Sequence, residues 1–169
     1  MPAFVVRAGL TRAGAAPIFV VGDEVSVKVS SRDTDNAFAV LEGRTQPQQG
    51  PPLHLHHHQD EWFYILEGRY LFEVDGVQIH AGPGDTVFAP RGSRHTFQNV
   101  GSTPGRSVIT VVPGGLDLFF EEVRVAAPPG CAPDPAVLSA LFKKYDMELL
   151  GPPLAARPPD ETTETHLIP

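Results

Sequence analysis

The sequence is short of several features, and each shortage argues against a class of protein. It has one cysteine, Cys131, so no intrachain disulfide is possible and nothing calls for an oxidising compartment. Lysine and arginine total 13 against 20 acidic residues, which leaves a formal net charge of −7 and no basic stripe. With no helix-turn-helix segment either, this charge balance argues against binding to nucleic acid and against a polybasic membrane anchor.

Long hydrophobic runs are also missing. The longest apolar stretch near the start, residues 15–21, is too short to span a bilayer and contains Pro17. Asp23 and Glu24 follow it, where a signal peptide would have a cleavage site flanked by small residues. We therefore expect a cytoplasmic protein that makes no membrane contact.

Short alternating stretches dominate the first 125 residues of this 169-residue chain. Val25, Val27 and Val29 alternate with polar residues, which is the period of a half-buried strand. Further strands are predicted at 37–42, 62–67, 70–75, 77–80, 86–89, 96–100, 107–112 and 116–123. Asp75-Gly76 between two of them is a hairpin signal. Many short strands at close spacing predict an all-β antiparallel sandwich or barrel over residues 1–125.

The composition changes at Ala126, where a segment rich in Ala and Pro reads as a linker. Asp134-Pro135 then resembles a helix N-cap followed by proline at the first helical position. An apolar stripe at helical spacing follows, formed by Val137, Leu138, Leu141 and Phe142. This helix, within the region 126–153, either packs on the barrel or partly covers the mouth of a site. We expect residues 154–169 to be a flexible tail.

Two histidine-containing patterns indicate a metal site. The first is His54-x-His56, four residues, Glu61, six residues and Gly68, and the second runs from Gly84 through Pro90, Gly92 and His95 to Asn99. Residues i and i+2 of a strand share a face, so His54 and His56 can point into one interior. Three imidazoles and one carboxylate suit one divalent transition metal ion, and Fe, Mn, Ni, Co, Cu and Zn are all compatible.

Other readings of these residues stay open. His56 to His58 is a run of three histidines, which can also be a solvated loop. His58 shares strand parity with His54 and His56, so it competes as a ligand if the strand extends that far. Two further histidines, His80 and His166, are expected at the surface. Asn99 either approaches the metal or holds a turn by hydrogen bonds.

Together these patterns resemble the two motifs of the cupin superfamily, HxH(x)4E(x)6G and G(x)5PxG(x)2H(x)3N. The chain departs from the first motif only at its leading glycine, where Gln48 stands. The resemblance implies a jelly-roll-like double-stranded β-helix barrel with a short C-terminal helix. It also implies a metal ion inside the barrel, held by His54, His56, Glu61 and His95, and a homodimer. The segment 56–64 resembles the quercetin 2,3-dioxygenase-like group of single-domain cupins.

This resemblance makes a metal-dependent dioxygenase of an aromatic or enolic small molecule the leading functional hypothesis. Glu61 would act as the general base. Apolar walls of the substrate pocket are expected from Phe63, Ile65, Phe72, Phe88 and Phe97, with ordinary barrel core as the other reading of these side chains. Two other hypotheses remain: a non-oxidative isomerase, decarboxylase or lyase that uses the metal as a Lewis acid, and a small-ligand-binding protein without catalysis.

Overall fold

The computed structural model describes residues 3–20, 23–127 and 134–156, which form two antiparallel sheets and two helices. The strands are β1 (Ile18–Val20), β2 (Asp23–Val29), β3 (Ala39–Thr45), β4 (Pro52–His56), β5 (Asp60–Glu67), β6 (Tyr70–Val74), β7 (Val77–Ala81), β8 (Thr86–Ala89), β9 (His95–Asn99), β10 (Gly105–Val112) and β11 (Met147–Pro153). Sheet A has the order β1-β2-β3-β10-β5-β8, and sheet B has the order β11-β4-β9-β6-β7. The two sheets form the expected cupin-type barrel.

Strand alternation places the core between the sheets. On β5, Phe63 and Ile65 are buried, whereas the intervening Tyr64 is exposed. On β10 every second residue is buried, from Gly105 to Val111. Because successive side chains point to opposite faces, each strand gives one face to the core and the other to the outside.

Tight turns join the strands at the positions that the sequence marks. Asp75 and Gly76 both have positive φ, 50° and 82°, as the two-residue hairpin between β6 and β7 requires. Gly68 ends β5 with φ 96°, and a side chain there would lie 2.7 Å from the Cα atom of Gly105. Glycine is therefore required at position 68 by both conformation and space.

The strand predicted at 116–123 is wrong, because these residues begin helix α1 (Leu116–Ala126). Its buried apolar residues Leu116, Phe119 and Val123 follow the helical spacing i, i+3, i+7. Apolar and polar side chains alternate over the first few residues of this segment, which is the pattern of a strand. The helix is also fixed by Asp117, a buried carboxylate that accepts hydrogen bonds from the Ser30 hydroxyl at 2.7 Å and from the backbone N–H and the hydroxyl of Ser31.

The C-terminal helix begins where the sequence predicts. Helix α2 (Pro135–Lys144) has Asp134 as its N-cap, with a carboxylate oxygen 2.8 Å from the Ala136 N–H. Phe142 is buried, but Val137 is exposed and is not part of the packed stripe. Helix α2 packs on α1 and on β11, which pairs with β4 and was not predicted.

Ala126 belongs to α1, while the rest of the predicted linker lies mostly outside the described residues, as does most of the predicted tail. Neither of the two helices in the described part of the chain has the length and apolarity needed to cross a membrane.

Candidate metal centre

Three histidines and one glutamate meet inside the barrel, and we call them the His/Glu cluster. Its members are His54 and His56 on β4, Glu61 on β5 and His95 on β9. One nitrogen or oxygen atom from each lies within 4.8 Å of those of the others. His54 and His95 are register partners of adjacent strands in sheet B, and Glu61 faces them from sheet A. The two layers of the barrel therefore bring together ligands from separate parts of the sequence.

Backbone carbonyls orient two of the imidazoles. The Nδ1 atom of His54 lies 2.8 Å from the Pro52 carbonyl oxygen, and the Nδ1 atom of His95 lies 3.1 Å from the Ser93 carbonyl oxygen. A carbonyl oxygen only accepts hydrogen bonds, so each Nδ1 carries the proton in its neutral ring. In the neutral rings the Nε2 atoms are then unprotonated and able to bind a cation, whereas without a metal ion His95 Nε2 holds a proton and donates it to Glu61 Oε2 at 3.0 Å.

Gln59 orients the third imidazole. Its amide nitrogen donates to the carbonyl oxygens of Pro113 and Gly114, at 3.1 and 2.6 Å. This fixes the amide oxygen toward His56, whose Nδ1 lies 2.9 Å away. The oxygen accepts from Nδ1–H, so the proton is held away from Nε2 here as well. Sequence analysis did not identify Gln59, since nothing local in the sequence shows which side chain reaches an imidazole.

The donor chemistry of the cluster fits a divalent cation. Glu61 Oε2 lies 3.0 Å from His95 Nε2 and 3.5 Å from His56 Nε2. His56 Nε2 is buried and has no hydrogen-bond partner among the described residues. The Glu61 carboxylate and the Nε2 lone pairs of His54 and His56 thus converge on one point, where a cation would hold them together. Three neutral imidazoles and a carboxylate are a ligand set for a transition metal.

The pKa values of the cluster follow from burial and from the carboxylate. Burial raises the Glu61 pKa, but the hydrogen bond from His95 and the histidine charges outweigh this and lower it to about 2. Burial lowers the pKa of His54 well below its usual value, helped by the other two histidines. For His95, burial acts in the same direction, but the contacts with Glu61 raise its pKa overall. The carboxylate therefore remains ionised, as a metal ligand must.

An apolar cavity opens beside the cluster. It reaches His54, His56 and Glu61 at one end. Its walls carry five phenylalanines, namely Phe63, Phe97, Phe119, Phe120 and Phe142. The Phe142 ring of α2 stands edge-on to the His54 ring, with 5.9 Å between ring centres. Helix α2 therefore both packs on the barrel and covers the cavity beside the cluster, which combines the two readings of its apolar stripe.

Residues 41–112 match the cupin domain family, and this segment contains the whole His/Glu cluster. The chain is a member of the cupin superfamily.

Among curated relatives, quercetin 2,3-dioxygenase of Bacillus subtilis is 28% identical over 108 residues, which is 63% of this chain and 32% of the relative. The tetracenomycin polyketide synthase protein TcmJ of Streptomyces glaucescens is 30% identical over 90 residues, 49% of this chain and 60% of the relative. The match therefore spans about a third to three fifths of the length of these two relatives.

A solved structure, described as a predicted oxalate decarboxylase from Thermotoga maritima, superposes with a TM-score of 0.59 at 21% identity. The superposition covers 66% of this chain and 99% of that one. At 21% sequence identity this similarity shows a shared fold alone.

The cupin motifs account for some residues outside the cluster. Asn99 is buried and donates from its amide nitrogen to the carbonyl oxygens of Thr45 and Thr103, so it holds turns, which confirms the second of its two readings. Gln48, where the motif has glycine, adopts a positive φ of 62°.

His58 lies beyond the end of β4, is exposed, and is not part of the cluster. His80 is exposed, as expected, and His166 lies outside the described residues.

Of the five residues expected to wall a substrate pocket, the structure places only two there. Phe63 and Phe97 line the cavity of this cupin. Ile65 and Phe72 are buried in the core without lining the cavity, which is the other reading of these side chains. Phe88 is 54% exposed, because β8 pairs it with Trp62 on the outer face of sheet A.

The helices supply the aromatic walls that sequence analysis missed. Phe119 and Phe120 come from α1, which the sequence suggested as a strand. Phe142 comes from α2, where it was noted only as part of an apolar stripe. The one available signal was the spacing i, i+3, i+4, i+7 of Leu116, Phe119, Phe120 and Val123, which indicates a helix with an apolar face.

Proposed function

We propose that this cupin is a metal-dependent dioxygenase that acts on an aromatic or enolic small molecule. The observation that supports this most directly is the position of the apolar cavity, which carries five phenylalanine rings and opens onto the His/Glu cluster. Aromatic walls favour planar apolar ligands through ring contacts and burial. A molecule held there has one end beside the imidazoles and Glu61.

The charges around the cavity support the same class of substrate. No lysine or arginine is found among the described residues that line the cavity. A buried anion must be paired, so oxalate or a sugar phosphate in this cavity would depend on the metal ion alone for its positive charge. The lining therefore favours an uncharged ring system with an acidic hydroxyl group over a small dianion. The similarity to a quercetin 2,3-dioxygenase agrees with this preference.

In the proposed reaction the three histidines hold the metal ion and Glu61 accepts and returns a proton. A divalent transition metal held by the cluster would supply a Lewis acid for an enolic oxygen and, if redox-active, electron exchange with dioxygen. His54, His56 and His95 present Nε2 lone pairs because their Nδ1 atoms are committed to oxygen acceptors. The phenylalanines exclude water from the reacting end of the substrate.

Glu61 is our candidate general base. It is ionised and buried, and its Oε2 atom lies 3.0 Å from His95 Nε2. A pKa of about 2 makes it a weak base while that contact lasts. Proton transfer from a substrate hydroxyl to Glu61 thus requires that the contact with His95 be released, so the two residues act together.

We further propose that the protein is a cytoplasmic homodimer. The outer face of sheet A exposes Tyr64 and Phe88, which are 44% and 54% exposed, next to Trp62. A cluster of aromatic residues at a surface is typical of a protein interface. Sedimentation of Phe88→Glu against wild type tests this proposal: a shift of the variant to monomer supports it, and a wild type that sediments as monomer overturns it.

The function is tested with defined metals and with oxygen present or absent. Metal-stripped protein is reloaded separately with Fe, Mn, Ni, Co, Cu or Zn, and oxygen uptake is recorded with 3-hydroxyflavone and with a simple enediol. We expect uptake that depends on a redox-active metal and is absent in His95→Ala. His58→Ala is the matched control, because this exposed histidine lies outside the cluster.

Other outcomes identify the two alternatives. Product formation at full rate without oxygen, supported by Zn, would replace the dioxygenase with a non-oxidative isomerase, decarboxylase or lyase. Tight binding of a ligand that is recovered unchanged with every metal would indicate a binding protein instead.

A further inference from the structure

A second group of polar atoms lies at the other end of the same cavity. Four side-chain polar atoms are buried without a hydrogen-bond partner among the described residues. One is His56 Nε2 in the His/Glu cluster, and the others are Asp23 Oδ1, Thr45 Oγ1 and Tyr70 Oη. We call these last three residues the distal polar group. Buried polar atoms are nearly always hydrogen-bonded, so three such atoms together need an explanation.

The strand register brings the distal polar group together. Asp23 on β2 pairs with Thr45 on β3, and Thr45 pairs with Gly105 on β10. The Tyr70 hydroxyl lies against Gly105, where any side chain would collide with it. The group is therefore built by Asp23 and Thr45 from adjacent strands of sheet A, by Tyr70 from β6 of sheet B, and by a glycine that leaves room for the phenol.

Asp23 and Thr45 lie at the opposite end of sheet A from Glu61 of the His/Glu cluster. On β10, Gly105 pairs with Thr45, and Val111 pairs with Glu61. These positions are separated by six residues along the strand, about 20 Å at the rise of a β-strand. Asp23 and Thr45 line the cavity, as do Val25, Phe63 and Ile109 between the two ends. The cavity is thus long and apolar, with polar groups at both ends.

We propose that Asp23 and Thr45 form a second substrate anchor, which takes a phenolic hydroxyl or a carbonyl oxygen at the end of the cavity remote from the His/Glu cluster. This inference extends the proposed function, because it assumes that an aromatic or enolic substrate enters this cavity. It narrows the substrate class to elongated molecules that carry one oxygen group at each end.

The protonation of Asp23 suits this role. Burial raises its pKa to about 7, and the nearby Thr45 hydroxyl offsets this only in part. Near neutral pH the side chain is therefore present both as carboxylate, which accepts from a hydroxyl, and as carboxylic acid, which donates to a carbonyl. Tyr70 stays neutral, because burial raises its pKa to about 12.

The test uses a pair of probes that differ by one hydroxyl group, 2-naphthol and naphthalene. Binding of each to the purified full chain is measured by fluorescence titration. We expect wild type to prefer 2-naphthol by about tenfold, the usual value of a hydrogen bond to a buried polar group. The preference should fall close to one in Asp23→Ala and in Thr45→Val, while naphthalene affinity changes little.

Two variants protect the result against misfolding. Thr45→Val keeps the shape of the side chain and removes only a hydroxyl whose polar contacts are with Asp23 and Tyr70, so it should fold normally. Glu24→Gln is the matched control, because Glu24 neighbours Asp23 on β2 and pairs with Arg44 at 3.7 Å instead of lining the cavity. It should keep the wild-type preference.

Three results would overturn the anchor: equal affinity of wild type for the two probes, no binding of either probe, or a preference that survives both Asp23→Ala and Thr45→Val. Failure of the proposed function is a separate result. A protein that never consumes oxygen but shows the Asp23-dependent preference loses the dioxygenase proposal and keeps the anchor. A protein that consumes oxygen but lacks the Asp23-dependent preference keeps the dioxygenase proposal and loses the anchor.

Discussion

The two ends of the cavity differ in how their polar atoms are supported. In the His/Glu cluster, each histidine has an oxygen behind it, from Pro52, Gln59 or Ser93, so the lone pairs that face inward are fixed in direction. In the distal polar group, Asp23 Oδ1 and Thr45 Oγ1 line the cavity without such a fixed partner among the described residues. Fixed directions suit a metal ion, whereas unsatisfied groups suit the polar atoms of a ligand. The two binding sites that we propose within one barrel interior are therefore of different kinds.

The largest effect is expected from removing a ligand of the cluster. His95→Ala leaves two imidazoles and one carboxylate as ligands. Loss of a residue that only supports a ligand costs about 10- to 100-fold in metal affinity or activity, so metal content and activity should both fall by at least about tenfold here. Elemental analysis of purified protein measures the metal. His58→Ala should keep the wild-type content. Unchanged stoichiometry in His95→Ala would remove His95 from the ligand set.

Glu61→Gln separates metal binding from proton transfer. The amide keeps an oxygen in place but cannot act as a base, so kcat should fall roughly 10²- to 10⁴-fold, the usual contribution of a general base. Metal content should fall much less than in His95→Ala. If metal and kcat are lost in equal proportion, Glu61 is a ligand alone and the proposed base lies elsewhere.

Gln59→Leu tests whether the hydrogen bond at Nδ1 of His56 is needed to orient this ligand for metal binding. Without the amide oxygen, the Nδ1 proton of His56 has no acceptor, and the ring can turn or change tautomer. Metal affinity should weaken by about 10- to 100-fold, while folding is largely kept. Competition with a metal-binding dye measures the affinity. A wild-type value would show that the strand alone orients His56.

Stability against pH should distinguish the two ends in the metal-free protein. Glu61 has a lowered pKa, so its contribution is present above the unfolded value near 4.5 and is lost as the pH falls toward 2. Asp23 has a raised pKa, so its contribution is full below about 3.8 and is lost as the pH rises through about 7. The two carboxyl groups therefore favour folding in opposite pH ranges.

Asp23→Asn removes the second of these dependences. Relative to the variant, wild type should lose up to about 4 kcal/mol of unfolding free energy between pH 4 and 8, the limit for a shift of this size. Subtracting the variant curve cancels the histidines, which titrate in both proteins. Asp35→Asn, the same substitution at an exposed position, is the control for the change of side chain itself. Parallel curves for Asp23→Asn would mean that Asp23 is solvated.

Much of the fold and of the cluster could be predicted from sequence, because both depend on short-range spacing. His54 and His56 share a face through the period of a strand, and Asp75-Gly76 encodes its own turn. The pattern from Gly84 to Asn99 places His95 at the start of β9. In contrast, Phe119 was missed because alternation at the start of α1 concealed its helical spacing. Phe88 was assigned to the cavity although its strand parity places it outside.

By itself, the sequence determined the strands from β2 to β10, several of the turns and the identity of the four cluster residues. Only the tertiary structure decided that Gln59 supports His56, that α1 and α2 supply the aromatic walls, and that Asp23, Thr45 and Tyr70 meet. The reason is physical: local patterns depend on backbone geometry over a few residues, whereas these contacts depend on positions distant in sequence, as the orientation of Gln59 depends on the carbonyl oxygens of Pro113 and Gly114. Such contacts exist only once both sheets and both helices have packed.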